Sequence, residues 1–212
     1  MRPSGDAAAS VTPAAEPTPW EHLRTARLLL DVPAEGDGEE LFRLHADPAV
    51  WTHFPSGVHT DPASGPAMVA ASREQFAEHG LGYWSVREAA SGPAGPVVGR
   101  AGCMAPGDAP WWNLYYRLSP AVQGRGYARE VGAAALEAAH AVGPARPVMA
   151  FLLEHNRASR RTAEAIGLRL VWRGPDLGNP DPEAVRLVFL DRAPYDDLLG
   201  RIEERFRPSA AG

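Results

Sequence analysis

Residues 123–128 read Gln-Gly-Arg-Gly-Tyr-Ala and continue as REVGAAALEAAHAVG, a glycine-rich turn at the mouth of an alanine-rich helix. The first N–H groups of a helix have no internal partners and carry about half a positive charge, so this end holds an anion. Small residues at Gly124, Gly126 and Ala128 let a bulky anion reach those amides, and Arg125 between them offers a charge-assisted bond. The chemistry this spacing suits is recognition of a phosphate-bearing ligand. Two familiar phosphate motifs fail. A Walker loop needs a lysine and the chain has none, while the third small residue of a dinucleotide fingerprint falls on Arg129. A tight strand-to-helix turn without a ligand is the structural alternative.

Four segments supply context: RTARLLL (24–30), LFRLHADPAV (41–50), LYYRLSPAVQGRGYA (114–128) and EHNRASRRTAEAIGLRLV (154–171). In this order and at these separations they resemble the GNAT superfamily of N-acetyltransferases, over about residues 23–192. Gln123, Gly126 and Ala128 fill the marked positions of its acyl-CoA signature, Q/R-x-x-G-x-G/A. Within the superfamily the chain looks most like the branch of the ribosomal-protein N-terminal acetyltransferases RimJ and RimL. The resemblance implies an α/β fold of α+β type. Its sheet is mixed, mostly antiparallel and six- to seven-stranded, with helices on both faces and a central parallel pair splayed around an acyl-CoA cleft.

It also implies acetyl-CoA as co-substrate, no metal, and transfer to a primary amine, either a protein N-terminus or a small molecule. Backbone groups near Tyr116, Arg117 and Leu118 would bond the pantetheine arm. Amides of Gln123, Gly124, Arg125, Gly126, Tyr127 and Ala128 would receive the pyrophosphate. Asn156 is expected near the pantetheine, and Ser159 near the thiol, where it could protonate the leaving thiolate; helix capping is the alternative role for both. The amine attacks directly and must lose a proton. Relatives often carry a glutamate on the strand before the signature, where this chain has Asn113. Glu154 is therefore taken as the candidate base, beside His155, His53 and Tyr115. The acceptor pocket is expected to be framed by the 51–61 loop with His53, by Trp84 and Tyr115, and by residues 174–183, whose Asp176, Asp181 and Glu183 could recruit a cationic amine. A non-catalytic acyl-CoA sensor is the rival function.

The elements that must position these residues follow from pattern. An apolar strand at 27–32 precedes a helix with Leu41, Leu44 and His45 on one face, ending before Pro48. A second helix spans 65–79, with Met68, Val69, Ser72, Phe76 and Ala77 on one face and Gly80 as its stop. Strands at 82–88, 96–104 and 111–120 read as an antiparallel meander. A helix at 126–142 and a strand at 147–155 then form a crossover that demands parallel pairing. Another helix (158–166) and strands at 168–174 and 184–192 complete a domain placed at 20–194. A closing helix within 195–212 carries Leu198, Leu199, Ile202 and Phe206 on one face and packs on the domain.

Composition bounds the rest. A length of 212 residues with 45% apolar and 22% charged residues suits one globular domain. The net charge of -5 argues against nucleic acid as a partner. Cys103 is the sole cysteine, which allows no intramolecular disulfide and no cysteine metal cluster, and reads as a buried strand thiol in a cytoplasmic protein. Residues 1–19 are a Pro-, Ala- and Ser-rich tail without a signal-peptide core, and no apolar run reaches membrane-spanning length. The homodimer, the commonest oligomer, is the assembly to test.

Overall fold

The computed structural model describes residues 18–177, 179–195 and 197–205; most of the expected N-terminal tail, and Phe206, lie outside them. Eight strands form one sheet in the order β1-β2-β3-β4-β5-β6-β8-β7. They are β1 (His22–Arg24), β2 (Leu28–Asp31), β3 (Tyr83–Glu88), β4 (Gly99–Met104), β5 (Trp112–Leu118), β6 (Val148–Leu153), β7 (Arg169–Pro175) and β8 (Val185–Leu190). The strand beyond the expected six or seven is β1. Its three residues are too few to show an alternating pattern, and it is held by pairing with β2 from His22↔Asp31 to Arg24↔Leu29.

Strands β1 to β5 form an antiparallel meander. Helix α3 (Tyr127–Val142) then crosses over, and β6 returns parallel to β5. That pairing lasts only two steps, Trp112↔Val148 and Asn113↔Met149. Beyond it β5 runs on to Leu118, while β6 stays paired with β8 as far as Leu153↔Arg186. The sheet therefore opens into a wedge whose backbone groups have no ladder partner across the gap, and such groups need a ligand or water.

Side chains alternate along β5, so its residues serve opposite faces. Leu114 and Leu118 join the core under α3, where Val131, Ala134, Ala135, Ala138 and Ala139 pack with Trp84, Trp112 and Phe189. The alanines let α3 lie close to the sheet. On the other face are α1 (Gly38–Ala46) and α2 (Ser64–His79), joined through Leu41, Met68 and Val69. Gly80 ends α2 in the left-handed region at φ 71°, as its position implied, whereas Ala77 is exposed. Helix α4 (Arg157–Ala165) follows β6. Helix α5 (Leu198–Arg205) buries Leu198 and Ile202 against Trp111, Met149, Val188 and Leu190; Leu199 points outward, a narrower face than the pattern suggested. No described helix is long and apolar enough to cross a membrane.

Candidate active site

A cleft of about 560 Å³ opens where the sheet splays. Its walls are Tyr116, Arg117 and Leu118 of β5, the turn residues Gln123, Gly124, Gly126, Tyr127 and Ala128, and the α4 face that includes Asn156 and Ser159. Gly124 (φ 76°) and Gly126 (φ 79°) both lie in the left-handed region, where a side chain costs about 1–2 kcal/mol. Gly126 is the N-cap of α3 and no side chain caps that helix, so its first amides remain available to an anion.

The turn is tied down from three sides. The Gln123 side-chain amide donates to Leu118 O at 3.0 Å. Arg27 donates from Nη1 to Arg125 O at 2.7 Å and from Nε to Glu130 at 2.7 Å, and Thr25 closes the same carboxylate from the other side. The opening RTARLLL segment thus acts as a brace for the signature, a role its sequence did not disclose.

The Arg125 side chain does not enter the cleft. It pairs with Glu88 at 2.8 Å and lies 4.7 Å from the Tyr127 ring centroid. Besides Arg117 of β5, the arginines that line the cleft are Arg129 and Arg161, neither ion-paired among the described residues. A helical signal for the second was present, because Ala158, Arg161, Thr162 and Ala165 recur at the spacing of one face of α4 and all four line the cleft.

Behind the wedge a smaller cavity of about 300 Å³ is walled by Trp51, Phe54, Tyr115, Phe151 and Arg186. Five residues line both spaces: His53, Tyr116, Arg117, Asn156 and Ser159. They mark the junction. Asn156 Oδ1 accepts from the Ser159 N–H at 3.1 Å, so it caps α4, worth about 1 kcal/mol, while its residue still faces both cavities. Tyr116 donates to Ser159 O at 3.1 Å, which fastens β5 to α4 across the opening.

Three expectations need correction. Trp84 is fully buried in the core and donates to Trp20 O at 2.7 Å, so it cannot wall the acceptor space. Glu154 lines neither cavity; Arg173 grips its carboxylate at 2.8 and 2.9 Å and holds its pKa below the usual carboxylate range. A carboxylate so engaged is a poor proton acceptor. The 174–183 acids do not face the acceptor space either. Asp176 is buried and bonded to Arg186 at 2.8 and 2.7 Å, and Asp181 accepts from the Glu183 amide within its own loop. Among the described residues no Asp or Glu lines either cavity. Asn113 donates to Tyr83 Oη at 2.6 Å.

What does face the junction is a chain of neutral and cationic groups. Arg117 Nε donates to Tyr115 Oη at 2.7 Å, and Tyr115 Oη lies 3.0 Å from His45 Nε2. His45 Nδ1 sits 2.8 Å from Leu41 O, which fixes the tautomer with the proton on Nδ1 and makes Nε2 the acceptor. Burial, with Arg100 and Arg117 nearby, pushes the His45 pKa down to about 3. His53 falls to about 4, mainly by burial and then through Arg117, His155 and Arg186. Both rings are neutral at pH 7.

The sign of the resulting pH effect follows. The unfolded chain binds a proton at His45 below about pH 6.5 and the native state does not, so stability is full above that pH and falls as acid is added, down to about pH 3. The expected slope is about 1.4 kcal/mol per pH unit for this residue. Urea midpoints of wild type and His45→Gln between pH 7 and 4 should converge as pH falls; parallel curves would contradict it.

A family model described as an acetyltransferase (GNAT) domain matches residues 27–169. Similar solved structures include an acetyltransferase from Agrobacterium tumefaciens, 26% identical with a TM-score of 0.62, covering 79% of this chain and 92% of that one. A GNAT-family acetyltransferase from Bacillus anthracis is 18% identical with a TM-score of 0.67, covering 80% and 96%. RimL, the ribosomal L7/L12 alpha-N-protein acetyltransferase in complex with coenzyme A, is 16% identical with a TM-score of 0.64, covering 81% and 99%. With the wedge, the uncapped glycine turn and a family match over most of the described residues, the chain belongs to the GNAT acetyltransferase domain family.

Proposed function

We propose that the protein transfers an acetyl group from acetyl-CoA to a primary amine by direct attack. One observation carries the reading: two cavities, one against the bare amides of α3 and one enclosed by aromatic residues, meet where β5 and β6 part. Amides at Gly126 to Ala128, with Arg129 and Arg161, take the phosphates of the co-substrate. Unpaired backbone groups of β5 beyond Asn113 bond the pantetheine arm. This brings the thioester to the junction residues, and the amine enters from the smaller cavity.

As the N–C bond forms, a strand amide of β5 holds the oxyanion, and the C–S bond then breaks. The attacking nitrogen gives up its proton to water at the junction, where the neutral imidazole of His53 accepts a hydrogen bond. Ser159 Oγ donates its proton to the leaving thiolate and takes back from that water the proton the amine released, so one proton moves in net from nitrogen to sulfur. The same reading places the reaction in the cytosol, where the single thiol, Cys103, is buried in β4 and its pKa is pushed up by that burial.

Thiol release with acetyl-CoA across a panel of amines tests this. Ser159→Ala is expected to lower kcat by about 100-fold with acetyl-CoA affinity unchanged. Saturable acetyl-CoA binding without amine-dependent release from any acceptor would instead support a non-catalytic sensor, a reading that the missing carboxylate keeps in play.

A further inference from the structure

The walls around the acceptor cavity carry charge of one sign. The chain has 26 acidic and 21 basic residues, yet the described lining of the two cavities includes no carboxylate, while Arg117 and Arg186 line the smaller one. Arg186 is matched by Asp176 at 2.7 Å. Among the described residues Arg117 has no such counter-charge.

Arg117 is half-buried. It uses Nε on Tyr115 Oη and Nη1 on Val50 O at 2.6 Å, and its guanidinium carbon sits 3.3 Å from the Trp51 ring centroid. Among the described residues it meets no carboxylate and its Nη2 makes no hydrogen bond. Arg100, buried one layer deeper, lies 4.7 Å from the Tyr83 ring and 5.9 Å from the Tyr115 ring, also without a described carboxylate. The field reaches its neighbours: His53 and His59 are both held below the ordinary histidine range, first by burial and then by Arg117.

A half-buried guanidinium that meets no carboxylate among the described residues is a standing cost to the fold. Held flat against Trp51 and fixed by two hydrogen bonds, it is also preorganised, and its planar fork matches a carboxylate. We propose that the acceptor is a small amine carrying a carboxylate, which Arg117 holds through Nη2 while the amine faces the junction at Ser159. The inference rests on the amine-acetylation reading above. A cavity of about 300 Å³, at the small end for ligand sites, suits an amino-acid-sized molecule better than a folded chain terminus. A diamine would meet no carboxylate on the described walls, whose charged groups are Arg117 and Arg186.

The experiment compares glycine, β-alanine and 4-aminobutyrate with their carboxamides and with putrescine, as acceptors in the thiol-release assay on the full chain. At least one acid is expected to exceed its carboxamide by tenfold or more in kcat/KM. Chemical bias runs the other way, because the amine of the acid is the more protonated. Arg117→Gln should erase that preference, bringing each acid and its carboxamide to within about twofold in kcat/KM. Calorimetry of the CoA-loaded wild type with the N-acetylated acid and the N-acetylated carboxamide of each pair reads the same recognition without turnover.

Tighter binding of an N-acetylated acid supports the proposal even where no thiol is released, an outcome that would count against the catalytic reading alone. Equal treatment of acid and carboxamide in both assays, a best rate with putrescine, or an Arg117→Gln defect confined to acetyl-CoA affinity would overturn it.

Discussion

Gly126→Asp is expected to weaken acetyl-CoA binding by at least about 100-fold, or about 2.7 kcal/mol. Two effects combine. The new side chain at the N-cap of α3 accepts from the very amides that the phosphates need, and its charge repels them. Backbone strain at φ 79° would lower stability as well, so a control is required. Asparagine has the same shape, tolerates the left-handed region and carries no charge. Gly126→Asn should therefore retain much more affinity than Gly126→Asp at similar stability. Titration calorimetry with acetyl-CoA checks both, and equal affinities for wild type and Gly126→Asp would remove the phosphate role from this turn.

Asp176→Ala carries the second large effect, on stability. Only 6% of the Asp176 side chain and 17% of the Arg186 side chain are exposed, and the pair is joined by two hydrogen bonds. Asn179 donates to the same carboxylate at 2.7 Å. Removing the acid leaves a guanidinium in low dielectric with its main counter-charge gone, and such losses cost about 3–5 kcal/mol. Urea denaturation should show that drop, with Asp176→Asn intermediate because it keeps the hydrogen-bonding shape. A loss below about 1 kcal/mol would mean that water already screens the pair.

The parts of the fold set by local pattern were legible in the sequence. Gly80 after an apolar helical face, the 111–120 strand running into a glycine turn, and the crossover from that strand to 147–155 were each predicted from spacing. Each is present with ends moved by a residue or a few. Strand β1 was not legible, because three residues paired with β2 derive their conformation from the partner. In the site, Gly124, Gly126 and Ala128 of the turn line the larger cleft, and His53, Asn156 and Ser159 line both cavities.

What failed was side-chain direction. Arg125 sits between two glycines of the turn yet is drawn to Glu88, and Glu154 at a strand end is drawn to Arg173, both partners from other elements. Trp84 is an aromatic residue near the sheet centre, and nothing in its neighbours told core from cavity until α3 covered it. The brace from Arg27 to Arg125 spans 98 positions, and the Arg117–Tyr115–His45 chain joins β5 to α1. Neither leaves a periodic trace in the sequence.

A crystal structure of the protein soaked with acetyl-CoA tests the central claim most directly. The diphosphate should lie within hydrogen-bonding distance of amides between Gly124 and Ala128, with the pantetheine between β5 and β6 and the thioester carbon beside Ser159. Density for the diphosphate elsewhere, or a pantetheine arm that avoids the strand gap, would contradict the assignment of this wedge as the place where acyl transfer occurs.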